Sequence, residues 1–222
     1  MTRYLVTGAS GLLGLNFGLE FGGQSEVVGV VNRHGLRNPP FRVLAADLAA
    51  PGSAERLLDA EQPDVILNCA AIAILDECEA NPALAERVNA HLPAELARAA
   101  RARGVRMVHI STDSVFDGRR DWYSESDTPN PLSIYSKSKL TGERMVAEAN
   151  PDALIARVVF YGWSLRGNRS LSEFFYNHLS AGQPATGFTD VFFCPLQVNH
   201  LARTLARMAE LGHAIVLLSQ GV

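Results

Sequence analysis

Short, largely apolar runs of strand length alternate with longer helical stretches along this 222-residue chain. Tyr4–Thr7, Glu26–Asn32 (EVVGVVN), Arg42–Ala45, Val65–Asn68, Arg106–Ile110, Ala153–Val159 and Ala214–Leu218 read as strands. Between them the pattern predicts helices over Leu12–Phe21, Ser53–Ala60 (with Ser53 as N-cap), Ile134–Asn150, Ser170–Ala181 and Asn199–Leu211. One long Ala-rich helix is predicted over Pro82–Arg103, bent at Pro93, and a polar loop over Ser111–Asn130. A strand with one wet face alternates polar and apolar residues. A uniformly apolar strand is buried on both faces, which requires a parallel sheet covered by helices on each side. The expected fold is therefore doubly wound α/β.

Composition agrees with one such unit. Apolar residues make up 47% of the chain and charged residues 19%, enough for a full core. A net charge of −3 lacks the basic face that nucleic-acid binding needs. No apolar run approaches the ~18–20 residues of a membrane span. The first residues show no charged-then-apolar leader, so a cytoplasmic protein is expected. Cys69, Cys78 and Cys194 are odd in number and lack a CxxC spacing, which predicts reduced thiols. The six histidines show no metal-ligand spacing, and no metal site is expected.

Doubly wound sheets bind ligands beyond the carboxyl ends of their strands, so the strand exits carry the information. At the first stands Thr7-Gly8-Ala9-Ser10-Gly11-Leu12-Leu13-Gly14. Three glycines three apart, between a strand and a helix, match the dinucleotide fingerprint of a Rossmann-type fold. Gly8 would allow the tight turn, Gly11 the approach of a pyrophosphate, and Gly14 the packing of helix on sheet. The helix N-terminus would offer its free N–H groups to the phosphates. At the second exit, Asn32-Arg33-His34 holds no acid for a ribose hydroxyl, and Arg33 is available to a 2′-phosphate. NADP(H) is therefore expected over NAD(H), with NAD(H) still accommodated. At the third exit, Asp47-Leu48 offers a carboxylate that either meets the adenine amino group or caps the next turn.

The chain has 18 arginines and only two lysines, Lys137 and Lys139. Lys139 stands four residues after Tyr135, so both lie on one helix face. Chance pairing of five tyrosines and two lysines at this spacing gives about 0.05 occurrences. In a chain that otherwise prefers Arg, this Lys suggests a need for a compact ammonium. An ammonium beside a phenol favours phenolate, which would lower the Tyr135 pKa. Thr112, at the exit of the Arg106–Ile110 strand, offers a hydroxyl that could orient a substrate carbonyl toward a general acid.

These residues resemble the extended short-chain dehydrogenase/reductase family, closest to its dTDP-4-dehydrorhamnose reductase-like branch. The resemblance rests on TGASGLLG (Thr7–Gly14), NCAA (Asn68–Ala71), DECE (Asp76–Glu79), Val88-Asn89 and STDSVFDG (Ser111–Gly118). It continues through Tyr123-Ser124-Glu125, YSKSK (Tyr135–Lys139), Gly142-Glu143, Arg157 with Tyr161-Gly162, Asp190 with Pro195, and Leu201-Ala202. It implies a Thr112/Tyr135/Lys139 triad that reduces a nucleotide-linked 4-keto-sugar, with Tyr135 as proton donor and Lys139 also holding the nicotinamide ribose. It also implies cofactor contacts from Ser10, Leu12, Leu13, Leu48, Cys69, Ala70, Ala71, Asn89 and Ser111. Ile72-Ala73 and Ser114 depart from the family's Tyr-Thr and Tyr at those places. Thr112-Asp113-Ser114 lacks the Thr-Asp-Glu of a dehydratase, while epimerisation stays open.

Residues 1–160 thus read as a dinucleotide-binding domain and 161–222 as a partial substrate-binding lobe. A sugar-nucleotide epimerase and a non-catalytic dinucleotide-binding regulatory subunit are the alternative functions. The partner expected is a small nucleotide-linked sugar, with neither nucleic acid nor membrane. An open strand edge near Ile215–Leu218 predicts self-association into a homo-oligomer.

Overall fold

A computed structural model describes residues 1–32, 34–192, 194–211 and 215–218. The chain runs β1 (Arg3–Thr7), α1 (Leu12–Phe21), β2 (Glu26–Val31), β3 (Arg42–Ala45), α2 (Ser53–Glu61), β4 (Val65–Asn68), α3 (Leu75–Ala80), α4 (Pro82–Glu86) and α5 (Leu92–Ala102). It continues β5 (Arg106–Ser111), α6 (Ile134–Ala149), β6 (Leu154–Val158), β7 (Phe160–Tyr161), α7 (Leu171–Ser180), β8 (Leu196–Gln197), α8 (Val198–Leu211) and β9 (Ile215–Leu218). Seven strands form one parallel sheet in the order β3-β2-β1-β4-β5-β6-β9. The order reverses between β1 and β4, and that switch point opens a crevice at the exits of Thr7 and Asn68.

Both faces of the sheet are dry, as the uniform strands require. On one, Tyr4, Val6, Val31, Leu67, Ile110 and Leu154 pack under Leu13 and Phe17 of α1 and Leu201 and Leu205 of α8. On the other, Leu5, Val30, Ile66, Met107 and Ile155 pack under α2, α5 and α6 through Leu58, Leu96 and Val146. Among the described residues, no helix is long and apolar enough to cross a membrane.

The structure differs from the sequence reading in several elements. The long helix over 82–103 is three pieces, because a π-helical turn (Arg87–His91) separates α4 from α5. Pro93 explains it: it has no N–H for the carbonyl of Asn89, four residues back, and its ring crowds that group. The turn widens ahead of it, and the Leu92 N–H donates to the Arg87 carbonyl. Ser53 is not an N-cap. Gly52, at φ +67°, occupies that place, and the Ser53 hydroxyl donates to the Leu48 carbonyl at 2.8 Å. The pair β7–β8 is too short to leave a periodic signal.

After residue 160 the chain returns to the main sheet. Its α8 lies on α1, tied by Arg203 to Glu20 at 2.6 Å, and its β9 extends the main sheet beside β6. The stretch 161–197 carries α7 and most of the β7–β8 pair, and its Leu196 packs into the same core as α1 and α8. The β9 edge is also partly closed. The Glu125 carboxylate accepts the Leu217 N–H at 2.8 Å, occupying a group that would otherwise recruit another strand.

Candidate active site

The glycine turn has the geometry its spacing predicts. Gly8 lies at φ +65°, and a Cβ there would meet the Ala70 nitrogen at 2.8 Å. A Cβ on Gly14 would strike the Gly8 carbonyl at 2.6 Å, so α1 can approach β1 only with glycine at that position. Gly11 is different. It is exposed, and a Cβ there would meet only the Gly8 oxygen, at 3.1 Å, before reaching into the crevice. No side chain caps α1, so the first-turn N–H groups and the positive dipole end face the same opening. Ser10 and Leu12 are half-buried at its rim, while the Leu13 side chain belongs to the core. This is a cradle for the diphosphate of a dinucleotide, and the residues present fit one.

Other exits line the same edge. Asn32 is exposed after β2, and Arg33 lies outside the described residues. The Asp47 carboxylate accepts the Ala49 N–H at 3.0 Å, so it caps the turn, while Leu48 is buried. Cys69 and Ala70 are half-buried and Ala71 exposed after β4. Burial pushes the Cys69 thiol up to about 12, although the Lys139 ammonium opposes it.

Asn89 faces inward. Its Oδ1 accepts the Ile72 N–H at 2.8 Å, and its Nδ2 donates to the Ile72 carbonyl and the Ser138 hydroxyl, both at 3.0 Å. It therefore holds the loop behind Ala70 and Ala71 through backbone contacts. Thr7 and Asn68 brace the same loop. The Ala70 N–H donates to Thr7 Oγ1, which donates to Asn68 Oδ1 at 2.6 Å.

The first turn of α6 is fixed by a reciprocal cap. Ser133 Oγ accepts the Ser136 N–H and Ser136 Oγ accepts the Ser133 N–H, each at 3.1 Å. Glu79, from α3, accepts the Ile134 N–H at 2.9 Å. Tyr135 is thus carried on a rigid turn, and its phenol lies near the Thr112 hydroxyl. Its pKa is raised. Burial is the main cause, Thr112 opposes it, and Asp113 and Cys78 add to it. This reverses the lowering expected from a neighbouring ammonium: burial and the acidic neighbours act in the same direction and keep the phenol protonated.

Lys139 is 2% exposed and donates to the Ile110 carbonyl at 2.6 Å. Its pKa is pushed down to about 8, chiefly by burial, with Glu143 and then Cys69 opposing. Beneath it lies a buried group the sequence reading left without a role. Glu143 takes a hydrogen bond from Ser111 Oγ at 2.5 Å and an ion pair from Arg157 at 2.7 Å. Ser111 therefore turns inward, and Thr112 is the hydroxyl on the Tyr135 side.

Above the sheet, a second buried carboxylate orders the loop before α7. Glu173 is fully buried and accepts the N–H groups of Ser164 (2.5 Å), Arg169 (2.7 Å) and Ser170 (2.9 Å), and the Ser164 hydroxyl (2.9 Å). Asn16 of α1 ties this loop down by donating to the Trp163 carbonyl at 3.0 Å. Arg166 and Arg169 are exposed on it.

The chain is similar to known proteins. The model of the RmlD substrate binding domain matches residues 2–215. A probable low-salt glycan biosynthesis reductase of Haloferax volcanii is 36% identical over 93% of this chain and 70% of its own length. Methionine adenosyltransferase 2 subunit beta of Danio rerio is 35% identical over 94% of this chain and 64% of its own. The chain thus spans about two thirds of the length of these relatives. The crystal structure of a hypothetical dTDP-4-dehydrorhamnose reductase from Sulfolobus tokodaii superposes with a TM-score of 0.87 at 31% identity, over 99% of this chain and 77% of that one. With the glycine cradle, the Tyr135–Lys139 face and a family match along nearly its whole length, the chain belongs to the RmlD substrate-binding-domain family, within the extended short-chain dehydrogenases/reductases.

Proposed function

We propose that this protein reduces a nucleotide-linked 4-keto-sugar, with NADP(H) as cofactor and Tyr135 as proton donor. The meeting of Thr112, Tyr135 and Lys139 at the β5 exit, beside the glycine cradle, supports this reading most directly. A bound dihydronicotinamide would supply the hydride. The Gly8–Gly14 turn and the α1 N-terminus would hold its diphosphate, and the walls at Cys69–Ala71 would bound its position. Thr112 orients the substrate oxygen and Tyr135 donates its proton to that oxygen. A phenol kept protonated by burial is in the form that a reduction consumes. Lys139, as an ammonium, steadies the negative charge that develops when the phenol proton leaves.

The test is incubation of the purified protein with NADPH and a panel of dTDP-4-keto-sugars, following NADPH absorbance. A panel that leaves NADPH untouched while the dinucleotide binds would favour a second reading, a dinucleotide-binding subunit of another enzyme. The methionine adenosyltransferase subunit among the relatives supports that alternative.

Two expectations follow from the site. Lys139 loses its charge as pH rises through about 8. If the ammonium is needed, turnover in the reducing direction falls on the alkaline side with a midpoint near 8, well below the ordinary lysine value of ~10.4. A profile flat to pH 10 would contradict the role given to Lys139. For the cofactor, Arg33→Ala should weaken NADPH binding by about 10-fold or more and leave NADH nearly unchanged, since a 2′-phosphate loses its charged partner. Calorimetric titration with both dinucleotides checks it, and tighter wild-type binding of NADH would reverse the assignment.

A further inference from the structure

Glu143 is the third residue of a stripe on α6, four after Lys139 and eight after Tyr135. It is 2% exposed, and two strands converge on it. Arg157 of β6 donates Nη2 to Oε2 at 2.7 Å and Nε to Oε1 at 3.0 Å. Ser111 of β5 donates to Oε1 at 2.5 Å. Ser111 follows Ile110, whose carbonyl receives Lys139, and precedes Thr112, whose hydroxyl lies near Tyr135. The carboxylate thus grips the strand exit from which two of the three site residues take their positions. Arg157 lies 5.2 Å from the Phe116 ring centroid, so the pair is walled on its far side.

We propose that the buried Glu143–Arg157 pair is the positioning device of this site: it anchors the β5 exit under Lys139 and Thr112, and it supplies the negative charge that keeps Lys139 an ammonium. The proposal rests on the reading of Lys139 as part of a reduction site.

The surrounding groups support it. On α6, Tyr135 and Glu143 flank Lys139. Cys69 faces it from the β4 exit, His109 from β5, and Arg157 lies behind Glu143 on β6. Asp113 and Cys78 lie beyond Tyr135. Burial pushes the Cys69 thiol up to about 12 and drives the His109 imidazole well below its ordinary value, so both are neutral near pH 7. Burial alone pulls Lys139 down, and Glu143 is the anion among the groups that oppose it. Opposite charge in a dry site acts strongly because little water screens it.

The chain's two lysines make the test direct. Lysine carrying 13C at Cε gives two side-chain signals, and Lys137→Arg assigns them. The pH titration of the Lys139 signal needs neither cofactor nor substrate. In Glu143→Gln its midpoint should fall by at least about half a unit, a threefold change in the equilibrium. In the double variant Glu143→Leu with Arg157→Met it should fall likewise. Apolar replacement of a buried pair usually preserves folding, so the double variant decides if the single one does not fold. Exposed Lys137 should not move in either. An unchanged Lys139 midpoint in a folded variant overturns the proposal. Turnover assays on the wild type separate the two readings. A shifted midpoint in a protein that reduces no sugar leaves the positioning intact and removes the reaction. Turnover with an unmoved midpoint does the reverse.

Discussion

Tyr135→Phe is expected to lower turnover at least ~10²-fold while NADPH still binds. The substitution removes one oxygen from a half-buried ring. Thr112 keeps its partners when the phenol goes: its hydroxyl donates to Asp113 at 3.2 Å and accepts the Ser114 N–H at 3.1 Å. The glycine cradle is untouched, so cofactor affinity has no reason to change by more than a few-fold. On the proposed reading the substitution removes the proton donor to the developing alkoxide. Steady-state kinetics on a dTDP-4-keto-sugar and calorimetry with NADPH measure the two halves separately. Equal loss of both would point to a misfolded site, and unchanged turnover would remove Tyr135 from the chemistry.

The second large effect is expected at Glu173. Glu173→Ala takes away the acceptor of three backbone N–H groups and one hydroxyl. Each buried donor left alone costs ~1–3 kcal/mol, and opening the loop to water recovers part of that. A net loss of about 3 kcal/mol is expected in urea unfolding. The pH dependence has a definite sign. Burial pushes the Glu173 carboxyl up, but the Ser164, Ser170 and Arg169 donors outweigh it and hold the pKa below its ordinary value. Its stabilisation is therefore complete above the unfolded value of ~4.3 and fades as pH falls through the lower folded value. Unfolding midpoints of wild type and Glu173→Gln should differ at pH 7 and converge on acidification. A gap that widens toward low pH would contradict the assignment.

Much of the fold was legible because dry parallel strands and amphipathic helices write different periods into the chain. Thr7–Gly14 and Tyr135–Lys139 were readable because each needs specific residue types at fixed spacing. Partner choice among buried charges was not readable. Nothing in the order of Ser111, Glu143 and Arg157 says that they meet, since the contact depends on the register of β5 with β6, where Ser111 lies opposite Arg157. The direction of the Tyr135 shift was misjudged for a related reason: burial is a property of the packed site, and spacing along a helix reports only the neighbour. Glu173 carried a usable signal that went unused. Ser170 followed by Glu173 is a capping box in plain sight.

The switch point at β1 and β4 has a consequence for how the molecule is made. Thr7 and Asn68, which face each other across it, are 61 residues apart in the chain. β1 can pair early with β2, and β2 with β3, but its other side waits for a crossover to be completed. Long-range parallel pairing of this kind is slow, because chain closure precedes any gain from contact. During synthesis the first three strands therefore emerge as a half-sheet with an open central edge, and the crevice that would receive a dinucleotide does not exist until β4 arrives. A nascent chain halted before Val65 should capture no NADPH, and the interval before β4 docks is when this protein most depends on protection from aggregation.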